Sequence, residues 1–293
     1  MESVIDGMAL HVGNKACNIN DSQYEPFSTR CFSANEFSET TLREMFQETL
    51  TLFQALCDNV GNTLRDVQDW GPSGLREGQY SADLLADQVV LEGLANAGLS
   101  VLSEESGLTM RGSGGVVIVD PLDGSTNASQ GLAWYATSLC LIDDAGAAVA
   151  MVRNQANGHT FTATRGGGAW RDGQRIVSSG CTSLSAAVVG LSGLPRQHYG
   201  WKQFRAYGAA ALDLCMVASG VLDGFVDCSV DAHGVWDYAA GVLICTEAGA
   251  VVEDALGREL LVRDPALRRT PVAGSSPAVL DALLTARALS FAD

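Results

Sequence analysis

The chain has 293 residues, 47% of them hydrophobic, enough for one large domain or two intimately packed ones around a substantial core, which argues against disorder as its main state. The formal net charge is −16 with only two lysines, Lys15 and Lys202, so the surface repels polymeric nucleic acid and anionic membranes. No stretch reaches the roughly 20 apolar residues that cross a bilayer, and the start is not a basic segment followed by an apolar run, so the expectation is a cytoplasmic protein.

Residues 1–38 mix Asn, Ser, Asp, Cys and Phe without a period and read as an N-terminal extension. From Thr41, the spacing of Leu42, Met45, Phe46, Leu50, Phe53, Leu56 and Val60 predicts a helix, and the glycines and proline between Asn62 and Gly78 predict a loop. Ser81 is placed to cap a second helix running to about Ala97, which carries Asp83 and Asp87 one turn apart. An apolar strand, 99–102, then runs directly into Ser103-Glu104-Glu105-Ser106-Gly107, and a second, 115–119, ends at Asp120. Strands follow at 136–142, 147–153 and 159–163, with hairpin turns at 165–168 and Asp172-Gly173. Beyond them the pattern predicts helices over 209–219, 236–247 and 278–289 and extended segments at 224–228 and 249–253. The order is mixed α/β. Eight cysteines lie scattered with no C-x-x-C pair, so they read as buried free thiols rather than a zinc site or a disulfide framework.

The chemistry concentrates in Asp120-Pro121-Leu122-Asp123-Gly124-Ser125-Thr126-Asn127, where an apolar strand ends. Two carboxylates three apart, with Pro121 stiffening the turn, can point at one position, and Gly124 and Ser125 can offer backbone N–H groups to phosphate. A capped turn would use similar residues. Glu104 also follows a strand, so it shares an edge with Asp120 if the two strands lie side by side, and Asp237 opens an apolar helix, where an acid also serves as a cap. Two unit charges 4 Å apart repel by about 4 kcal/mol at an effective dielectric near 20. Converging carboxylates therefore call for cations, and an all-oxygen set without His or Cys selects Mg²⁺ or Mn²⁺ over Zn²⁺.

The stretches SEESG at 103–107, DPLDGSTN at 120–127 and VWDYAAG at 235–241, followed by Glu247-Ala248-Gly249-Ala250, resemble the signatures of the inositol monophosphatase family over residues 40–290. The resemblance implies an α/β layered fold, the αβαβα sandwich of the inositol monophosphatase and fructose bisphosphatase type. It implies a single phosphatase domain over 39–293, with a metal-binding half at about 39–190 and a C-terminal half at about 191–293, forming a homodimer. Its implied reaction is Mg²⁺-dependent hydrolysis of a small phosphorylated metabolite, an inositol, sugar, polyol or histidinol phosphate, with Mn²⁺ as a substitute and Li⁺ as an inhibitor.

Carried over position by position, Glu104, Asp120 and the Leu122 carbonyl match the ligands of one metal, and Asp120, Asp123 and Asp237 those of a second. Gly124 and Ser125 match the phosphate-binding amides. The Ser125 hydroxyl matches the group that, with Glu104 and an upstream acid, serves catalysis by orienting water. That acid is Asp87 as the better match, or Asp83, because Arg76-Glu77-Gly78 replaces the Lys and Val-Thr that precede it in many members. The turn Tyr207-Gly208-Ala209, with Arg205, is expected to line the substrate pocket; His233 is either a substrate contact or a satisfied loop histidine, and the family's substrate acid has no clear counterpart in 227–231.

Nucleotide or sulfonucleotide 3′-phosphatases and fructose bisphosphatases share these signatures, and a catalytically silent regulatory member is the reading from another class. An aspartyl-phosphate mechanism lacks its Asp-x-Asp-x-Thr pattern here.

Overall fold

The computed structural model describes residues 38–111 and 115–291. The expected extension therefore lies outside the described residues except for Ser38, which caps α1 (Glu39–Asp66) by accepting the Thr41 N–H at 3.2 Å. The helical stripe read from the sequence is the buried face of α1: Phe46, Phe53, Leu56 and Val60 all point inward. The second helix, α2 (Ser81–Asn96), is capped differently from the expectation. Ser81 is already helical, and the first turn is closed by Asp83, whose Oδ2 accepts the Tyr80 N–H at 2.8 Å.

Then come β1 (Ser100–Ser103), β2 (Gly107–Thr109), β3 (Val116–Asp123), the short α3 (Ser125–Ser129), β4 (Ala136–Asp143), β5 (Gly146–Asn154), β6 (Thr160–Thr164), β7 (Gly168–Arg171) and β8 (Gln174–Ile176). These strands form one sheet in the order β2-β1-β3-β4-β5-β6-β7-β8, antiparallel except for the parallel pair β1 and β3. After them come β9 (Val188–Ser192), β10 (Gln203–Arg205), α4 (Ala210–Ala218), β11 (Gly224–Asp227), α5 (Val235–Glu247), β12 (Val251–Asp254), β13 (Pro271–Gly274) and α6 (Pro277–Ser290). Their sheet has the order β10-β9-β11-β13-β12. The sequence pattern did not reveal β2, β9, β10, β13 or α3, which are short segments without a distinct period.

Five layers result. Helices α1 and α2 cover one face of the large sheet with Phe53, Leu94, Val117 and Leu139 between them. Helices α4 and α5 fill the space between the two sheets, and α6 closes the outer face of the small sheet through Val279 and Leu283. Every residue of α4 is buried, as a helix apolar on all sides but for Asp213 requires. Each large side chain such as Leu212, Leu214 or Ile244 contributes about 1.5–3 kcal/mol through burial. Cys57, Cys140, Cys215, Cys228 and Cys245 are buried free thiols and Cys181 is partly buried, whereas Cys17 and Cys31 lie outside the described residues. No described helix is long and apolar enough to cross a membrane.

Candidate metal and substrate site

Strands β1 and β3 run parallel with Ser103 opposite Val119, so both leave the sheet at one edge. The Glu104 N–H bonds the Val119 carbonyl at 3.1 Å, and Glu104 and Asp120 emerge side by side. The pairing of β3 with β4 slips between Asp120, opposite Ser138, and Asp123, opposite Ala136. Residues three apart on a regular strand point to opposite faces; the extra residue of this bulge, at a proline with no N–H to contribute, turns Asp123 back toward Asp120. Thr137 Oγ1 fixes the bulge by donating to the Pro121 carbonyl at 3.0 Å.

Asp237 arrives from the first turn of α5. Its Oδ2 accepts the Gly234 N–H at 2.9 Å and meets His233 Nδ1 at 3.0 Å, which leaves Oδ1 free of both. One carboxylate oxygen from each of Glu104, Asp120 and Asp237 lies within 4.8 Å of the other two. Asp123 stands outside that trio. It is held by the Ala211 N–H at 2.8 Å, where α4 begins, and its charge is felt by Asp120. The Leu122 N–H turns in to Asp120 Oδ1 at 3.1 Å.

Burial pushes the carboxyls of Glu104, Asp120 and Asp123 above their ordinary range, and the repulsion of neighbouring carboxylates adds to it. Glu104 rises to about 8 and Asp123 to about 7, each by burial first and the charge of Asp237 second. Asp120 rises well above its usual value through burial, then through Glu104, Asp123 and Asp237. Arg76 offsets part of this from outside, 3.7 Å from Glu104 Oε1 and 2.9 Å from Glu105 Oε2. Burial by itself would lower the His233 imidazole, but Asp237, with Asp227 and Asp123, lifts it to about 9. Crowded, oxygen-only and short of counter-charge, this donor set fits a hard divalent cation.

Gly124 joins β3 to α3 with φ +82°, and a Cβ there would stand 2.9 Å from the Trp134 carbonyl oxygen, so glycine is required. Asn127 Nδ2 donates to the carbonyls of Trp134 at 2.8 Å and Tyr207 at 2.7 Å, which ties the octapeptide to the 207–209 turn. The two upstream acids separate in space. Asp83 is the one beside Ser125, which acts on its carboxyl, and its Oδ1 is buried without a hydrogen-bond partner. Asp87 instead accepts Ser103 Oγ at 2.5 Å beneath the Glu104 turn, so the better match by sequence is not the acid next to Ser125. The cause is helical geometry: four residues displace a side chain along the axis by one turn.

A cavity of about 290 Å³ opens beside the carboxylates, lined by Asp123, Leu191, Ser192, Gly208, Ala209, Ala210, Asp213, Ala232, His233 and Asp237. Gly208, Ala209 and His233 are thus part of its wall. Tyr207 does not line it: its ring packs on Trp134 with centroids 4.7 Å apart, behind the wall. Arg205 is also absent from the lining, on exposed β10 with Nη1 donating to the Phe204 carbonyl. Sequence reasoning missed Ser192 and Asp213. Ser192 Oγ lies 3.0 Å from His233 Nε2, and Asp227, buried at the end of β11, brings Oδ2 to 3.8 Å from the same nitrogen. The signal available for Asp213 was an acid inside the otherwise apolar Ala210–Ala218.

Residues 47–290 match the inositol monophosphatase family. A fructose-1,6-bisphosphatase/inositol-1-monophosphatase of Thermococcus kodakarensis is 32% identical over 249 residues, covering 82% of this chain and 91% of its own. An inositol-1-monophosphatase of Mesorhizobium japonicum is 33% identical, covering 74% and 86%. Among solved structures, the extragenic suppressor protein suhB of Bartonella henselae superposes with a TM-score of 0.70 at 27% identity, covering 82% of this chain and 98% of that one.

Proposed function

The chain belongs to the inositol monophosphatase family, and from that premise we propose that it hydrolyses a small phosphate monoester with Mg²⁺. The observation that carries this reading is the convergence of Glu104, Asp120 and Asp237 within 4.8 Å at a cavity that Asp123 and Asp237 help to line. Glu104, Asp120, Asp123, Asp237 and the Leu122 carbonyl would hold the metal, with Mn²⁺ as a substitute and Li⁺ as an inhibitor. When bound, Mg²⁺ supplies Lewis-acid stabilisation of the phosphate's charge.

The chain's own groups do the rest. Backbone N–H groups of Gly124 and Ser125 hold phosphate oxygens. Ser125 Oγ orients the attacking water, and Asp83 Oδ1, the unpartnered buried oxygen beside it, accepts the proton. Burial, the largest influence on Asp83, lifts its carboxyl to about 6, close to the working range of a general base. The leaving alcohol occupies the cavity between Ser192, Gly208, Asp213 and His233.

A panel of phosphate monoesters assayed with Mg²⁺ and with excess chelator tests the reading. Phosphate release is expected from at least one polyol or sugar phosphate and should stop in chelator. No release with Mg²⁺, or full release in chelator, refutes it.

A further inference from the structure

Glu104, Asp120, Leu122 and Asp123 sit on or beside β1 and β3 of the large sheet, whereas Asp237 reaches the same place from the first turn of α5. A carboxylate turns easily about its last bond, so its plane has to be held from outside the cluster. Asp237 Oδ2 is held by the Gly234 N–H at 2.9 Å and by His233 Nδ1 at 3.0 Å. A carboxylate only accepts, so Nδ1 carries the proton and donates. The imidazole is fixed in turn. Its Nε2 lies 3.0 Å from Ser192 Oγ at the end of β9, and that hydroxyl can donate to the nitrogen or accept from it. The backbone of His233 pairs with Arg269 in both directions, its N–H to the Arg269 carbonyl at 3.2 Å and the Arg269 N–H to its carbonyl at 2.9 Å. Arg269 is buried, and its Nε donates to the Glu259 carbonyl at 2.7 Å. The ring is therefore anchored to the small sheet and to the segment leading into β13 while it grips a carboxylate of the metal site.

We propose that His233, fixed by Ser192 and Arg269, is a positioning residue for the metal: its Nδ1–H holds Asp237 Oδ2 and so keeps Oδ1 turned toward Glu104 and Asp120. This rests on the metal reading above. Hydrogen bonds that orient a ligating side chain from behind are worth about 10–100-fold in metal affinity. A purely electrostatic role has the opposite sign, since a positive imidazole beside the site repels Mg²⁺ and its removal would tighten binding. A packing role depends on the shape of the side chain and not on the N–H. Asn and Leu have nearly the same shape, and Asn Nδ2 is bonded to Cγ as His Nδ1 is, so the pair of substitutions separates the three roles.

Titration calorimetry of the metal-free full chain with Mg²⁺ tests this, at one pH and with no substrate present. His233→Leu should weaken Mg²⁺ binding roughly tenfold or more. His233→Asn should recover most of that loss. Ser192→Ala should weaken binding by less than His233→Leu, because the Gly234 N–H and the Arg269 pairing remain. The rise of Tm with added Mg²⁺ should follow the same order. Mg²⁺ bound by His233→Leu as tightly as by wild type, or more tightly, would overturn the proposal. Equal weakening in His233→Leu and His233→Asn would overturn it as well, by showing that shape and not the N–H is what matters. If His233→Leu does not fold, Ser192→Ala decides, and an affinity equal to wild type counts against the proposal. A wild type that binds no Mg²⁺ overturns the metal reading together with this one. A wild type that binds Mg²⁺ no better than its His233→Leu variant overturns this one alone.

Discussion

Removing the charge of Asp120 should stabilise the metal-free protein and abolish its response to Mg²⁺, a pair of effects with opposite signs. At the 4.8 Å limit of the trio, each pair of full charges repels by about 3.5 kcal/mol at an effective dielectric near 20. Asp120 faces two such partners, Glu104 and Asp237, but burial drives the cluster to bind protons and so to shed much of that repulsion. Asp120→Asn is therefore expected to gain about 1–3 kcal/mol at pH 8 without metal, a small part of the fully ionised figure. The amide oxygen can still accept the Leu122 N–H, and its NH₂ can donate to the neighbouring carboxylates. At about 2–4 °C per kcal/mol for a chain of this size, Tm should rise by several degrees. Wild type at Mg²⁺ one hundred times its Kd should gain about 2.7 kcal/mol, whereas the variant, losing a ligand charge, should gain little. Differential scanning calorimetry with EDTA and across a Mg²⁺ titration measures both. A metal-free variant that melts at or below wild type and keeps the full Mg²⁺ shift would refute the account of a cation-seeking cluster.

Ser125→Ala and Asp83→Asn should each lower kcat by about 10²–10⁴-fold with Mg²⁺ affinity nearly intact, as expected for groups that orient and deprotonate water. Asp87→Asn should instead lower Tm through the lost Ser103 bond and leave kcat closer to wild type; kinetics and melting of the three variants decide, and an inactive, stable Asp87→Asn would return the role to Asp87. Carboxyls raised in the fold to about 7 and about 8 release protons later than in the unfolded chain. Metal-free stability should therefore fall as pH rises from about 4 to about 8 and then level, while Mg²⁺ affinity climbs over the same range with release of protons. Calorimetry in buffers of different ionisation enthalpy checks this, and a pH-independent Mg²⁺ affinity would contradict it. Gly124→Ala should cost at least about 1 kcal/mol from the positive φ alone, with loss of turnover as the Trp134 carbonyl is pushed away. Unchanged Tm and kcat would show that the turn tolerates a side chain.

Much of this site is legible in the chain itself, for reasons of local chemistry. An apolar run that stops at Asp120-Pro121 marks a buried strand ending in acids, and a proline followed three residues later by glycine marks a turn that must break the pairing. Helical spacing in 42–60 and 236–247 follows from burial of one face, a property of neighbours in sequence. What needed the tertiary structure was everything set by residues distant along the chain. The choice between Asp83 and Asp87 turns on which helix position meets Ser125, 42 and 38 residues further on, and helical periodicity alone puts both on one face. Asp213 looked like one polar residue in an apolar helix until Trp134, 79 positions earlier, was seen to hold it at the cavity. The short strands β9 and β13 exist because α4, α5 and α6 bury them on both sides, and no periodicity of their own announces it. Local sequence determines which residues are acidic, buried or turned; the packing of remote segments decides which of them share a site, because burial and Coulomb energy depend on distance in space.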